Sequence, residues 1–339
     1  MNDTRVQDEE LGFFQDTMND LGDAWDAAYL VWSVQWLLIG VPGDLLIISA
    51  IAIFKELKTI PMAQTANLAF SDLVVGATNV STTWLILLFD SRLLMDHNAL
   101  CQLSGYICNL GCRCSIISIC CISCNSEHLN PDDFVDATVD IKICWDEIYD
   151  RVYNTYTMPL HLLVPWILGP VMMLPALLRG KNAFVYDTRM LLCPTWYFSQ
   201  AEYTSIQWYE TISLLPPTLA VMAFTSYKIF DKVHQSGKNF SGSDPTQTFT
   251  QRDIQLMKVL MMMFAAFLVA NFPWFLLVTF DFQDRVYHGV YYVTVWLVHT
   301  ATTLNPLIYA AKYPQFQKCF KRIANYLCSC KVFQITKTR

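Results

Sequence analysis

Residues Ala28–Phe54 read AYLVWSVQWLLIGVPGDLLIISAIAIF, 27 positions with a single charged side chain, Asp44. As a helix rising about 1.5 Å per residue this segment is about 40 Å long, more than the roughly 30 Å hydrocarbon core of a bilayer. Six later stretches have the same character: Ala63–Phe89, Ala99–Cys124, Thr157–Leu178, Ser205–Phe230, Ile254–Phe280 and His288–Ala311. The 339 residues are 54% hydrophobic and 15% charged, against about 25% charge in soluble domains. This composition excludes nucleic-acid binding through a basic surface, a secreted disulfide mini-domain and intrinsic disorder. It predicts an all-α membrane protein with seven spans. Pro159, Pro170, Pro175, Pro216 and Pro217 interrupt the fourth and fifth spans, which membrane helices tolerate where neighbours re-satisfy the freed carbonyls.

Orientation follows from the lysines and arginines. With the N-terminus outside, sixteen fall in inner segments or at the inner ends of spans (Lys228 and Lys258) and six in outer ones, Arg113 alone lying deep within a span. The positive-inside bias then predicts a multi-pass membrane protein with an outer N-terminus and an inner C-terminus. Three regions result: an acidic outer segment (1–27), the spanning domain (28–311) and an inner helix and tail (312–339). Met1–Asp26 lacks the pattern of a signal peptide, so the first span is expected to act as its own anchor. Its eight carboxylates face only Arg5 and suit either a solvated tail or a ligand-recruiting one. Asn2-Asp3-Thr4 is a candidate glycosylation site.

The twelve cysteines fall into distinct settings. Cys108, Cys112, Cys114, Cys120, Cys121 and Cys124 lie within the third span and are expected to pack as small apolar residues. No histidine or CxxC pair near them has zinc spacing, so no metal site is expected there. Cys101 and Cys193 fall at outer ends, on the oxidising side. Cys319, Cys328 and Cys330 follow the last span beside Lys321 and Arg322, and Cys328 and Cys330 are palmitoylation candidates. Neither HExxH nor GxSxG occurs, which argues against an enzyme. The two halves show no internal repeat of the kind transporters carry.

Several motifs then occur in order. They are Gly40-Val41-Pro42-Gly43-Asp44 in the first span, Asn67-Leu68-Ala69-Phe70-Ser71-Asp72 in the second, and Cys101 opening the third. Trp166 stands in the fourth, Phe267 and Pro273 in the sixth, and Asn305-Pro306-Leu307-Ile308-Tyr309 in the seventh, followed by Phe316. From Gly40 to Arg322 the chain resembles a rhodopsin-like (class A) G-protein-coupled receptor. Tyr149–Tyr153, Tyr186-Asp187 through Cys193, and Asp253–Lys258 narrow the likeness to the invertebrate Moody and trapped-in-endoderm receptors and their melatonin-receptor-like relatives.

The resemblance implies a seven-helix bundle with a short amphipathic eighth helix, which moves its helices when an outer ligand binds and opens its inner end to a heterotrimeric G protein or arrestin. It pairs Cys101 with Cys193. It makes Asp72, with Ser115 and Asn305, a sodium site, no other cofactor being implied. Asp44 replaces the family's asparagine, and two carboxylates in low dielectric cannot both stay ionised without a cation; either Asp44 is protonated or cation binding tightens. Arg113 lies about 18 Å below Cys101 along its helix and needs a partner. Either Glu210 clamps it or it anchors an anionic ligand. Cys108 stands where aminergic members carry aspartate, which disfavours a biogenic amine. Cys108, Trp296 and His299 are pocket candidates, although tryptophans and tyrosines of the outer halves equally suit an interfacial belt.

The departures cluster at the inner end. Asn125-Ser126-Glu127 stands where the family carries Asp-Arg-Tyr, so Ser126 replaces the coupling arginine although Asp253 keeps the acid that the arginine would meet. Asn271 replaces the sixth-helix tryptophan beside Pro273. The second inner loop is lengthened by an acidic stretch around Asn130–Asp146, at a face where G proteins and anionic lipids meet basic groups. Weak coupling, another route such as arrestin, an altered transcript, and a non-signalling partner or decoy all remain open.

Overall fold

The computed structural model describes residues 27–89, 98–126, 157–178, 183–187, 192–195, 200–239, 251–281 and 286–337. Asn2, Glu127 and the acidic loop lie outside the described residues. The helices are α1 (Ala27–Ile53), α2 (Ile60–Phe89), α3 (Asn98–Ser126), α4 (Met158–Met172), α5 (Gln200–Asn239), α6 (Gln251–Phe280), α7 (His288–Lys312) and α8 (Pro314–Lys337). Among the described residues, Ala27–Ile53, Ala99–Ser123 and Met261–Phe280 are long and apolar enough to cross a membrane on length and composition alone. Other helices turn polar groups inward instead: Asn79 and Thr83 of α2, and Thr303 and Asn305 of α7, are buried. Leu38, Val269 and Leu178 lie at least 71% exposed, as residues facing lipid should.

The prolines act unequally. Pro216 and Pro217 sit inside α5 without ending it. α4 stops at Met172, the Met173 amide donates to the Pro170 carbonyl at 3.0 Å, and Pro175 opens one further turn, Leu174–Leu177. In α1 the ladder widens to a π turn at Trp36–Gly40, just before Pro42, which has no amide hydrogen to contribute. The Trp36 indole lies against Gly76 of α2, where an added Cβ would stand 1.8 Å from the ring. Gly76 is the bare backbone that lets α1 and α2 close.

At the outer end Cys101 and Cys193 are disulfide-bonded, their Cα atoms 5.6 Å apart. The segments around Phe184 and Cys193 pair antiparallel through Phe184 with Thr195 and Asp187 with Leu192. Gln102 holds this loop on α3, accepting from the Phe184 amide and donating to the Phe184 carbonyl. A Cβ on Gly105 would lie 2.4 Å from the Cys193 carbonyl oxygen, so the loop rests directly on that glycine.

At the inner end Tyr309, Tyr313 and Phe316 stack with centroids 5.4–6.5 Å apart, turning α7 into the 24-residue α8. Arg322 of α8 pairs with Glu56 at 3.1 Å and lies over the Phe54 ring. The Glu56 carboxyl is held below its ordinary range by a backbone hydrogen bond first and by Arg322 second. Burial raises the Cys319 thiol.

Candidate functional site

The polar centre of the bundle is built on Asp72. Ser115 of α3 donates to its Oδ1 and Asn305 of α7 to its Oδ2, each at 2.7 Å. One fully buried carboxylate therefore joins three helices. Asp44 of α1 is also buried, feels the Asp72 charge, and neither of its carboxyl oxygens has a hydrogen-bond partner among the described residues. A turn closer to the inner side, Asn67 ties α2 to α4 by accepting from Trp166 Nε1 at 3.0 Å, and lies 3.3 Å from Ser118 of α3. At the inner end the Thr65 hydroxyl donates to the Pro61 carbonyl, so the Tyr309 hydroxyl must donate to Thr65, at 3.1 Å.

A second buried group crosses from α3 to α5. Arg113 Nη2 lies 3.1 Å from Glu210 Oε2, with side-chain exposures of 6% and 12%. Arg113 Nε and Nη1 find no partner among the described residues. Above them, Cys108 Sγ lies 3.1 Å from Asn79 Oδ1 and 3.9 Å from His299 Nε2. On α6, Asn271 turns back on its own helix, donating to the Phe267 carbonyl at 3.0 Å.

This geometry of a buried aspartate joining three helices, a bridged outer loop and a tyrosine latch can be set beside known proteins. The model of the 7 transmembrane receptor (rhodopsin family) matches residues 141–309. The melatonin receptor type 1C of Xenopus laevis is 23% identical over 331 residues, covering 96% of this chain and 74% of that protein. The human melatonin receptor type 1B is 24% identical, covering 84% and 75%. The trace amine-associated receptor 9 of Rattus norvegicus is 26% identical, covering 89% and 87%. The chain belongs to the rhodopsin-like seven-transmembrane receptors. It is a multi-pass membrane receptor of a signalling family, not an enzyme.

The structure brings together several of the residues singled out in the receptor's sequence. Cys101 joins Cys193, Asp72 gathers Ser115 and Asn305, Arg113 meets Glu210, and Cys108 comes close to His299. Trp296 is not drawn into that cluster; it is 36% exposed while His299 is buried. Trp84 and Trp208 are similarly exposed, as residues of an interfacial belt are. Pro273 lies inside α6 and Pro306 inside α7. The side chains of Asn125, Ser126, Asp253, Cys328 and Cys330 lie outside the described set. Two participants escaped the sequence reading. Asn79 carries no motif signal. Cys112 lay in plain view four residues after Cys108, but its companion on α7 is 191 residues from Cys108.

Proposed function

We propose that this receptor works at the plasma membrane with its N-terminus outside, keeps the family's transmission core, and couples weakly to heterotrimeric G proteins because Ser126 replaces the coupling arginine. The observation that carries this reading is Asp72, still bound by α3 and α7 through two 2.7 Å hydrogen bonds. A buried carboxylate is costly to keep and marks function in a membrane helix. Serine cannot supply the positive charge that would pair with Asp253, so the inner end loses one closing contact and one G-protein contact together. Arrestin and the membrane lipid facing α8 are the remaining inner partners. Cys108 offers no fixed negative charge, so the ligand is not recognised as an amine at that position.

The residues also fit a sodium ion. Asp44 places two buried carboxyl oxygens, without a partner among the described residues, within electrostatic reach of Asp72, and hard oxygen donors suit a hard cation. Asp44, Asp72, Ser115 and Asn305 would hold it, and it would supply the positive charge that two buried acids require.

The test is nucleotide exchange on a panel of G proteins, measured for the full chain and for Ser126→Arg at equal cell-surface expression. Basal exchange is expected to rise in S126R. If both proteins reach the surface and neither drives exchange on any G protein, the reading fails and a non-signalling partner takes its place. One observation favours a second reading, an altered transcript: the lost arginine and the acidic stretch begin at the same point in the sequence. Full-length messenger RNA read across codons 124–150 decides it. A majority form encoding Asn-Arg-Tyr would assign signalling to that form.

A further inference from the structure

In the outer half of the bundle Cys108, Cys112 and His299 bring their ligand atoms within 4.8 Å of one another. We propose that they form a zinc site joining α3 to α7. Cys108 and Cys112 are four residues apart, so both project from one face of α3, the spacing by which helices commonly present two metal ligands. His299 closes the site from α7. Its Nδ1 lies 2.9 Å from the Val295 carbonyl, and a carbonyl can only accept, so Nδ1 carries the proton and Nε2 keeps its lone pair. That lone pair faces Cys108 at 3.9 Å. A histidine oriented through its other nitrogen by a backbone carbonyl is the usual outer shell of a metal ligand.

The distances suit the ion. Zinc–sulfur and zinc–nitrogen bonds of about 2.3 and 2.0 Å place tetrahedral donors roughly 3.5–3.8 Å apart, a small contraction from what the side chains already adopt. Asn79 Oδ1, 3.1 Å from Cys108 Sγ, is an oxygen donor at hand for the fourth position. Charge also balances. Each thiol gives up its proton to solvent on binding, and two thiolates with Zn²⁺ leave no net charge in the low-dielectric interior. Cys108 lies seven residues, about 10 Å, below Cys101 along the helix, on the outer side. Bound there, the ion cross-links the two helices that Asp72 already joins lower down, independently of whether the inner end engages a G protein.

The test uses the full chain in lipid nanodiscs, with Cys328 and Cys330 changed to serine so that the tail adds no thiols, and Co²⁺ as the probe. One equivalent is expected to give the sulfur-to-metal charge-transfer band and the visible bands of a tetrahedral site, displaced by Zn²⁺. Cys112→Ser and His299→Gln should each weaken Zn²⁺ at least about tenfold, the low end of what even an outer-shell partner contributes. Cys120→Ser, on the same helix outside the cluster, should change nothing. No thiolate band, or a band and affinity that survive both variants, overturns the site. Should a variant fail to fold, zinc X-ray absorption on the protein with the cluster intact decides the matter. Two sulfur neighbours near 2.3 Å and a nitrogen near 2.0 Å support the site, and a shell without sulfur refutes it.

Discussion

Glu210→Ala should be among the most damaging single substitutions in the bundle. It leaves the buried Arg113 guanidinium without the 3.1 Å link from Nη2, its one ionic contact among the described residues. Nε and Nη1 cannot compensate, because they already lack partners among the described residues. Removing one member of a buried pair while its charge stays behind costs about 3–5 kcal/mol. Replacing both members by apolar residues of similar volume, Arg113→Met with Glu210→Leu, removes the uncompensated charge and is typically neutral or stabilising by about 1–4 kcal/mol. The assay is thermal unfolding of the full chain in nanodiscs, followed by intrinsic tryptophan fluorescence, for E210A, for Arg113→Met and Glu210→Leu singly, and for the double variant that closes the cycle with those two. The E210A midpoint should fall by several degrees and the double variant should recover most of the loss, giving a coupling well above the ~0.5 kcal/mol at which independent sites add. If E210A melts with the wild type, or the losses in the two single variants simply add, Arg113 does not depend on Glu210. The free N–H groups of Arg113 would then point back to an anionic ligand.

Two further outcomes are expected. Gly76→Ala puts a Cβ 1.8 Å from the Trp36 ring, so α1 and α2 must separate at an overpacking cost of about 1–3 kcal/mol; an unchanged melting midpoint would show that Trp36 turns aside freely. Asp44→Asn removes the second buried carboxylate, so the rise in melting midpoint produced by sodium over potassium should shrink; equal sodium responses in the two proteins would remove Asp44 from cation binding.

Much of the bundle was legible without coordinates because each span is a local quantity. The transfer of about twenty apolar residues into hydrocarbon is counted along the chain, and most of the described helices begin and end within a few residues of the hydropathy limits, although α5 starts five residues before Ser205 and ends nine after Phe230. Pro216 and Pro217 depart from that picture. Adjacent prolines suggest a break, yet α5 runs through them, as membrane helices can. The motif residues around Asp72 were legible for a different reason: each sits at a characteristic place within its own span, so the resemblance could align them before any distance was known.

By itself, then, the sequence determined that seven helices cross a membrane, roughly where each lies along the chain, and which charges must find partners inside. Only the tertiary structure decided which groups meet. The rotation of each helix about its axis and its height against its neighbours set the pairing of His299 with Cys108 and Cys112, the unpartnered oxygens of Asp44 and the seating of Trp36 on Gly76. A one-dimensional pattern reports how apolar a segment is and which face is more so. It does not carry the relative rotation of helices nearly two hundred residues apart, because that is fixed by close packing of side chains from the whole bundle at once.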